Sequence, residues 1–126
     1  MDLEQFENAV QSTLPAGTVI DNPGGGISTI VGYKNSNISY VRGNSTITVS
    51  LADLHKGYSA FLGQRLSSSD LKKIAPSVFD SSARPAGHSC NCTFLFRILQ
   101  RLNLASEIEG RGVRGSPFSV VITDQD

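Results

Sequence analysis

Residues 27–50 read ISTIVGYK-NSN-ISYVR-GN-STITVS, three β-rich runs joined by connections of three and two residues. Runs of this kind send alternate side chains to opposite faces. Connections this short can join only antiparallel neighbours, because a parallel return needs a crossover. The stretch therefore predicts an antiparallel meander, with TVID (18–21) as a further strand. One face of such a sheet is apolar and needs a cover. The next segment, SLADLHKGYSAFLG (50–63), supplies it. Ser50 and Asp53 have capping-box spacing, Leu51, Leu54, Tyr58, Phe61 and Leu62 form one helical stripe, and Gly63 ends it. His55 lies beside that stripe and reads as a boundary residue.

Ahead of the sheet, Leu3, Phe6, Val10 and Leu14 recur at steps of three and four, predicting an amphipathic helix over 2–13 that Pro15 and Gly17 stop. Its stripe is expected on the body of the protein or on a second copy, as in a homodimer. The run Asn22-Pro23-Gly24-Gly25-Gly26 reads as a loop. No Lys-Ser/Thr follows it and no helix opens there, so it lacks the pattern of a nucleotide-phosphate loop.

After Gly63, Ser67 and Asp70 form a second capping-box pair that opens the short helix SSDLKKIA, ended by Pro76. Residues 76–89 read as irregular, with Val78 and Phe79 as anchors. A longer helix follows in GHSCNCTFLFRILQRLNL (87–104). SEIEGRGVRGSPFSVVI (106–122) reads as two strands around a glycine-rich hairpin, with Phe118, Val120 and Ile122 turned inward. Residues 124–126 are expected to fray. The class is α+β, in a single compact domain of 126 residues with subregions 1–63 and 64–126.

His88, Cys90 and Cys92 crowd the start of the long helix. Structural zinc uses ligand pairs about two to four residues apart, with a second pair elsewhere. Here no second cysteine pair exists, and the other histidine is His55. Neither metal nor cofactor is expected. A cysteine at a helix N-terminus has its thiolate favoured by the dipole, so a Cys–His nucleophile is the competing reading. Packing and capping account for the same residues: small thiols fit a buried first turn, Ser89 or Asn91 can cap it, and Gly87 permits a sharp entry. A binding protein rather than an enzyme is expected. Two cysteines one residue apart do not form a structural disulfide in a helix, which points to a reducing, cytoplasmic setting. No run approaches the ~20 apolar residues of a membrane span, and MDLEQFENAV lacks signal-peptide order.

Net charge is zero, yet residues 34–115 hold all eleven Lys and Arg against five acids. A basic binding face is available there. Lys34 and Arg42 offer the meander a second one. On the long helix, Leu95, Ile98, Leu99 and Leu102 take one side, Thr93, Arg97, Gln100 and Arg101 the other, and Phe94 and Phe96 flank the polar strip. A narrow basic strip on an embedded helix offers Arg forks to phosphates or guanine edges.

From Ser67 onward the order is a short capped helix (SSDLKKIA), a longer helix (NCTFLFRILQRLNL) and a Gly/Arg-rich hairpin closed by Pro117-Phe118. It resembles the winged helix-turn-helix superfamily over residues 67–122. The resemblance implies a winged-helix-like unit after the meander and duplex DNA as partner. It makes Thr93, Arg97, Gln100 and Arg101 the recognition face and Arg111 and Arg114 the wing contacts. Arg84, between the two helices, would serve an additional contact loop. The alternative is a protein-binding module that inhibits or scaffolds a larger enzyme, with the acidic helix 2–13 as its contact.

Overall fold

The computed structural model describes residues 1–124, so the frayed tail expected at 124–126 lies, from Gln125 on, outside the described residues. Helix α1 spans Leu3–Thr13. Strands β1 (Val19–Asp21), β2 (Ile27–Lys34), β3 (Asn37–Arg42) and β4 (Ser45–Ser50) follow, then α2 (Leu51–Ser59). Next come β5 (Arg65–Ser67), α3 (Ser68–Ile74), α4 (Pro76–Phe79), α5 (Cys90–Arg101) and β6 (Ser119–Val121).

The meander is present as an antiparallel sheet in the order β1-β2-β3-β4. The turn between β2 and β3 holds Asn35 and Ser36 at φ 52° and 61°, the double left-handed geometry that matches strand twist in a two-residue hairpin. Alternation then decides what each face sees. Ile20, Ile30, Ile38, Tyr40, Ile47 and Val49 are buried toward the helices, whereas Val19, Ile27 and Val31 stand half-exposed on the outer face. A register shift between Ile30 and Gly32 marks a bulge in β2.

The helices cover the inner face. α1 carries a full capping box between Asp2 and Gln5, a signal absent from the sequence expectations. Its Phe6, Val10 and Leu14 are fully buried, and Phe6 stacks on Tyr58 of α2 with ring centroids 5.9 Å apart. The stripe thus packs on the body of the same chain. His55 sits at that boundary, edge-on to Phe6 and bonded through Nε2 to the Met1 carbonyl at 2.9 Å. Ser50 caps α2 by accepting from the amides of Ala52 and Asp53, and α2 ends at Ser59, with turns carrying the chain on to Gly63. The Ser67–Asp70 box on α3 is reciprocal, as its spacing predicts.

Two expectations are corrected. The span 76–89 contains one helical turn, α4, with Pro76 at its start, where a missing N–H matters least. The span 106–122 does not form a regular two-stranded hairpin. Its one named strand, β6, pairs with β5, while Glu109↔Ser119 and Val113↔Ser116 meet only as isolated bridges. Gly110, Gly112 and Gly115 lie at φ 96°, 71° and 83°, which interrupts extended backbone. Val120 and Ile122 are nonetheless buried. The apolar cluster draws residues from both subregions, from Phe6 to Ile122. No helix among the described residues is long and apolar enough to cross a membrane.

Candidate anion-binding cleft at the head of the long helix

The alternation of β3 places Ile38, Tyr40 and Arg42 on the helix-facing side. Tyr40 is fully buried and stacks on Phe94 of α5, with centroids 3.7 Å apart. Its hydroxyl donates to Asn91 Oδ1 at 2.6 Å and has Cys90 Sγ at 3.4 Å. Asn91 Nδ2 in turn donates to the Val78 carbonyl at 2.9 Å. One amide therefore ties the first turn of α5 to the sheet and to α4.

This corrects the expected cap. Asn91 faces the core, and Ser89 holds helical backbone (φ −61°, ψ −26°) with no side-chain cap bond. A capping side chain needs extended backbone to fold back over the first amides. Ser89 instead pairs with Ser81: each backbone N–H donates to the other's Oγ, at 2.8 and 3.1 Å.

Above this helix start lies a cleft of about 560 Å³. Ser89, Cys90 and Thr93 form its floor, Ser68, Ser69 and Lys72 of α3 one wall, Arg42 at the end of β3 another, and the loop residues Gly112, Val113, Arg114, Gly115, Pro117 and Phe118 its roof. Among the described residues, no carboxylate lines it. Among the described residues, the side chains of Arg42, Lys72 and Arg114 make no hydrogen bond or ion pair. Arg65 differs, pairing with Glu109 at 2.6 Å. Asp80 lies outside the cleft. Two bonds from Ser82 hold its carboxyl below the usual range, with a smaller contribution from Lys72. The N-terminus of the 12-residue α5 adds its partial positive charge to the cations.

Cys92 is buried, with Sγ 3.6 Å from the Phe79 carbonyl, and burial pushes its thiol up to about 12. Cys90 is half-buried and borders the cleft. His88 donates its backbone N–H to the Val78 carbonyl. Among the described residues, no three of His, Cys, Asp and Glu come together as a metal site. The raised Cys92 thiol has a thermodynamic consequence. Its neutral form is favoured by folding, so that contribution is intact below about pH 9 and is lost as pH rises toward 12. Wild type should lose about 1 kcal/mol between pH 8 and 10, and Cys92→Ser should lose less over the same interval. Urea titrations at both pH values measure this; equal losses in the two proteins would remove Cys92 as the cause.

The polar strip of α5 lies elsewhere. Thr93 reaches the cleft floor. Arg97 donates to the Asp21 carbonyl at 3.0 Å, to Asp21 Oδ2 at 3.3 Å and to Gln100 Oε1 at 2.8 Å. Gln100 donates to the Ser106 carbonyl, and Arg101 to the Val19 carbonyl at 3.2 Å. The two arginines expected to face a groove thus lie along the edge of β1. Two helical residues four apart rise about 6 Å, close to the roughly 6.8 Å between alternate strand residues, so the two guanidiniums match successive outward carbonyls. Arg84 and Arg111 are exposed and do not line the cleft. Of the expected site residues, the structure gathers Thr93 and Arg114, and it adds Lys72, Ser68 and Ser69; Arg42, expected on a second basic face of the meander, lines the same cleft. An arginine two residues beyond an inward tyrosine on the same strand was the available signal for Arg42.

Compared with known proteins, the chain matches no family model, no curated protein and no solved structure.

Proposed function

We propose that this protein is a nucleic-acid-binding module that takes the phosphate backbone of duplex DNA in the cleft at the head of α5. The observation that carries this reading is the convergence of Arg42, Lys72 and Arg114, without a carboxylate among the described lining residues, on a helix N-terminus. A phosphate there would accept from these cations and from the hydroxyls of Ser68, Ser69 and Thr93, in a site the helix dipole already favours. Such contacts fix position and supply affinity, but they carry no base information. A winged-helix geometry would send the α5 strip into a groove. With Arg97 and Arg101 held on β1, the binding role moves to the helix start and the Arg114 loop, and little sequence preference is expected.

The test is a fluorescence-polarisation titration with random duplex and single-stranded DNA at two salt concentrations. Affinity should fall steeply with salt, and Lys72→Ala should weaken all duplexes alike while lowering the salt slope by about 0.9. Absence of duplex binding at low salt would sink the proposal. One observation favours a protein partner instead. Val19, Ile27 and Val31 expose 49%, 55% and 52% of their surface on the outer face of β1 and β2. Because α1 buries its apolar stripe, a partner protein would meet that sheet face rather than helix 2–13.

A further inference from the structure

The two outer strands of the four-stranded sheet differ. On β1, side chains of α5 bond to the Val19 and Asp21 carbonyls. On β4 nothing comparable is found. The two-residue turn Gly43-Asn44, with Gly43 at φ 60°, makes Arg42↔Ser45 the first hydrogen-bonded pair between β3 and β4. Bonding then alternates, so Ser45, Ile47 and Val49 direct their backbone groups to Arg42, Tyr40 and Ile38. The N–H and C=O groups of Thr46 and Thr48 point away from the sheet. Among the described residues, no other main-chain or side-chain group bonds to them. Both threonines are exposed.

Outer strands are ordinarily shielded by charge, by proline or by a bulge. β4, STITVS, holds no charge and no proline, and its register against β3 is unbroken. The uncharged stretch runs from Gly43 to Ala52. Main-chain bonds alone would accept any strand on this edge, so the side chains decide which one fits. A second β4 fits. Laid antiparallel with Ile47 opposite Ile47 of the other copy, Thr46 of each chain meets Thr48 of the other. Each such pair exchanges both of its N–H···O bonds, which satisfies every outward group of the two threonines. The side chains agree, with isoleucine on isoleucine toward the helices, threonine on threonine on the outer face, and no like charges opposed. The neighbouring residues fix this register. Centring the pair on Thr48 would call on the Ser50 carbonyl, which already opens α2 as its N-cap. Centring it on Thr46 would set Asn44 of the turn against Thr48.

We infer that the free edge of β4 pairs with β4 of a second copy of this chain, antiparallel about a two-fold axis at Ile47, joining the two sheets into one. Each chain offers one open edge on this sheet, so two copies pair off and leave neither β4 free. None of Ser45–Ser50 lines the cleft, so the dimer is independent of the function proposed above.

The experiment is sedimentation equilibrium of the full chain over a concentration series, without nucleic acid. Wild type should pass from the chain mass to twice that mass as concentration rises. Thr46→Pro removes an N–H that the single chain does not use, and should stay at the chain mass with an unchanged circular-dichroism spectrum. The double variant T46K/T48K should do the same, because the two-fold axis sets each new lysine opposite another. Should Thr46→Pro fail to fold, the double variant decides, since both its positions are exposed. Amide hydrogen exchange in wild type supplies the register: exchange at Thr46 and Thr48 should slow as the dimer fills. A wild type that stays at the chain mass at every concentration overturns the proposal. So does a dimer that survives in the folded variants, or one in which the Thr46 and Thr48 amides exchange as fast as in the single chain.

Discussion

Removing the three cleft cations together, in R42A/K72A/R114A, should lower duplex affinity by about two to three orders of magnitude near 0.1 M salt. Each phosphate contact on duplex DNA contributes a slope of roughly 0.9 in log affinity against log salt. Three lost contacts then remove roughly 2.7 logarithmic units on going from 1 M to 0.1 M. The substitutions should change stability little, because the three side chains make no hydrogen bond or ion pair among the described residues. Polarisation titrations across a salt series measure the affinity, and a melting curve controls for folding. A folded triple variant with unchanged affinity would exclude the cleft as the contact surface, and Arg111 and Arg84 would then be the next cations to test.

The second large effect concerns Tyr40, the residue that holds the cleft in place. Tyr40→Ala should destabilise the protein by about 3–5 kcal/mol, the range for truncating a buried aromatic. At this chain length the melting temperature should fall by roughly 10–25 °C. Tyr40→Phe separates packing from hydrogen bonding. It keeps the stack on Phe94 but strands Asn91 Oδ1, at a cost of about 1–3 kcal/mol. Chemical denaturation resolves both values. A loss below about 1 kcal/mol for the alanine variant would mean that Phe94 and its neighbours close the gap without the ring.

The sheet was legible because its signals are local. The bounds of β2 and β4 coincide with the β-rich runs, since alternation and turn chemistry act over a few adjacent residues. The pairing of β6 was not legible. Its alternating Val120 and Ile122 are buried as expected, but its partner, Arg65–Ser67, is a three-residue strand with no periodicity of its own. The cleft was only partly legible for a related reason. Arg114 and Thr93 were in view, yet Arg42 and Lys72 join them only once α3, β3 and α5 have packed. The helical wheel of α5 correctly separated polar from apolar positions. It could not show that β1, 76 residues away in sequence from Arg97, would occupy the polar side.

The contact between α5 and β1 also bears on how the molecule behaves among its own copies. An outer strand with unused carbonyls is a template on which another chain can lengthen the sheet indefinitely. In β1 the carbonyls of Val19 and Asp21 are already held by Arg101 and Arg97. Any strand arriving there must first displace two guanidiniums, which carry charge and cannot themselves be extended. The helix thus acts as a terminator, making the sheet finite on that side and opposing stacking of one copy onto the next.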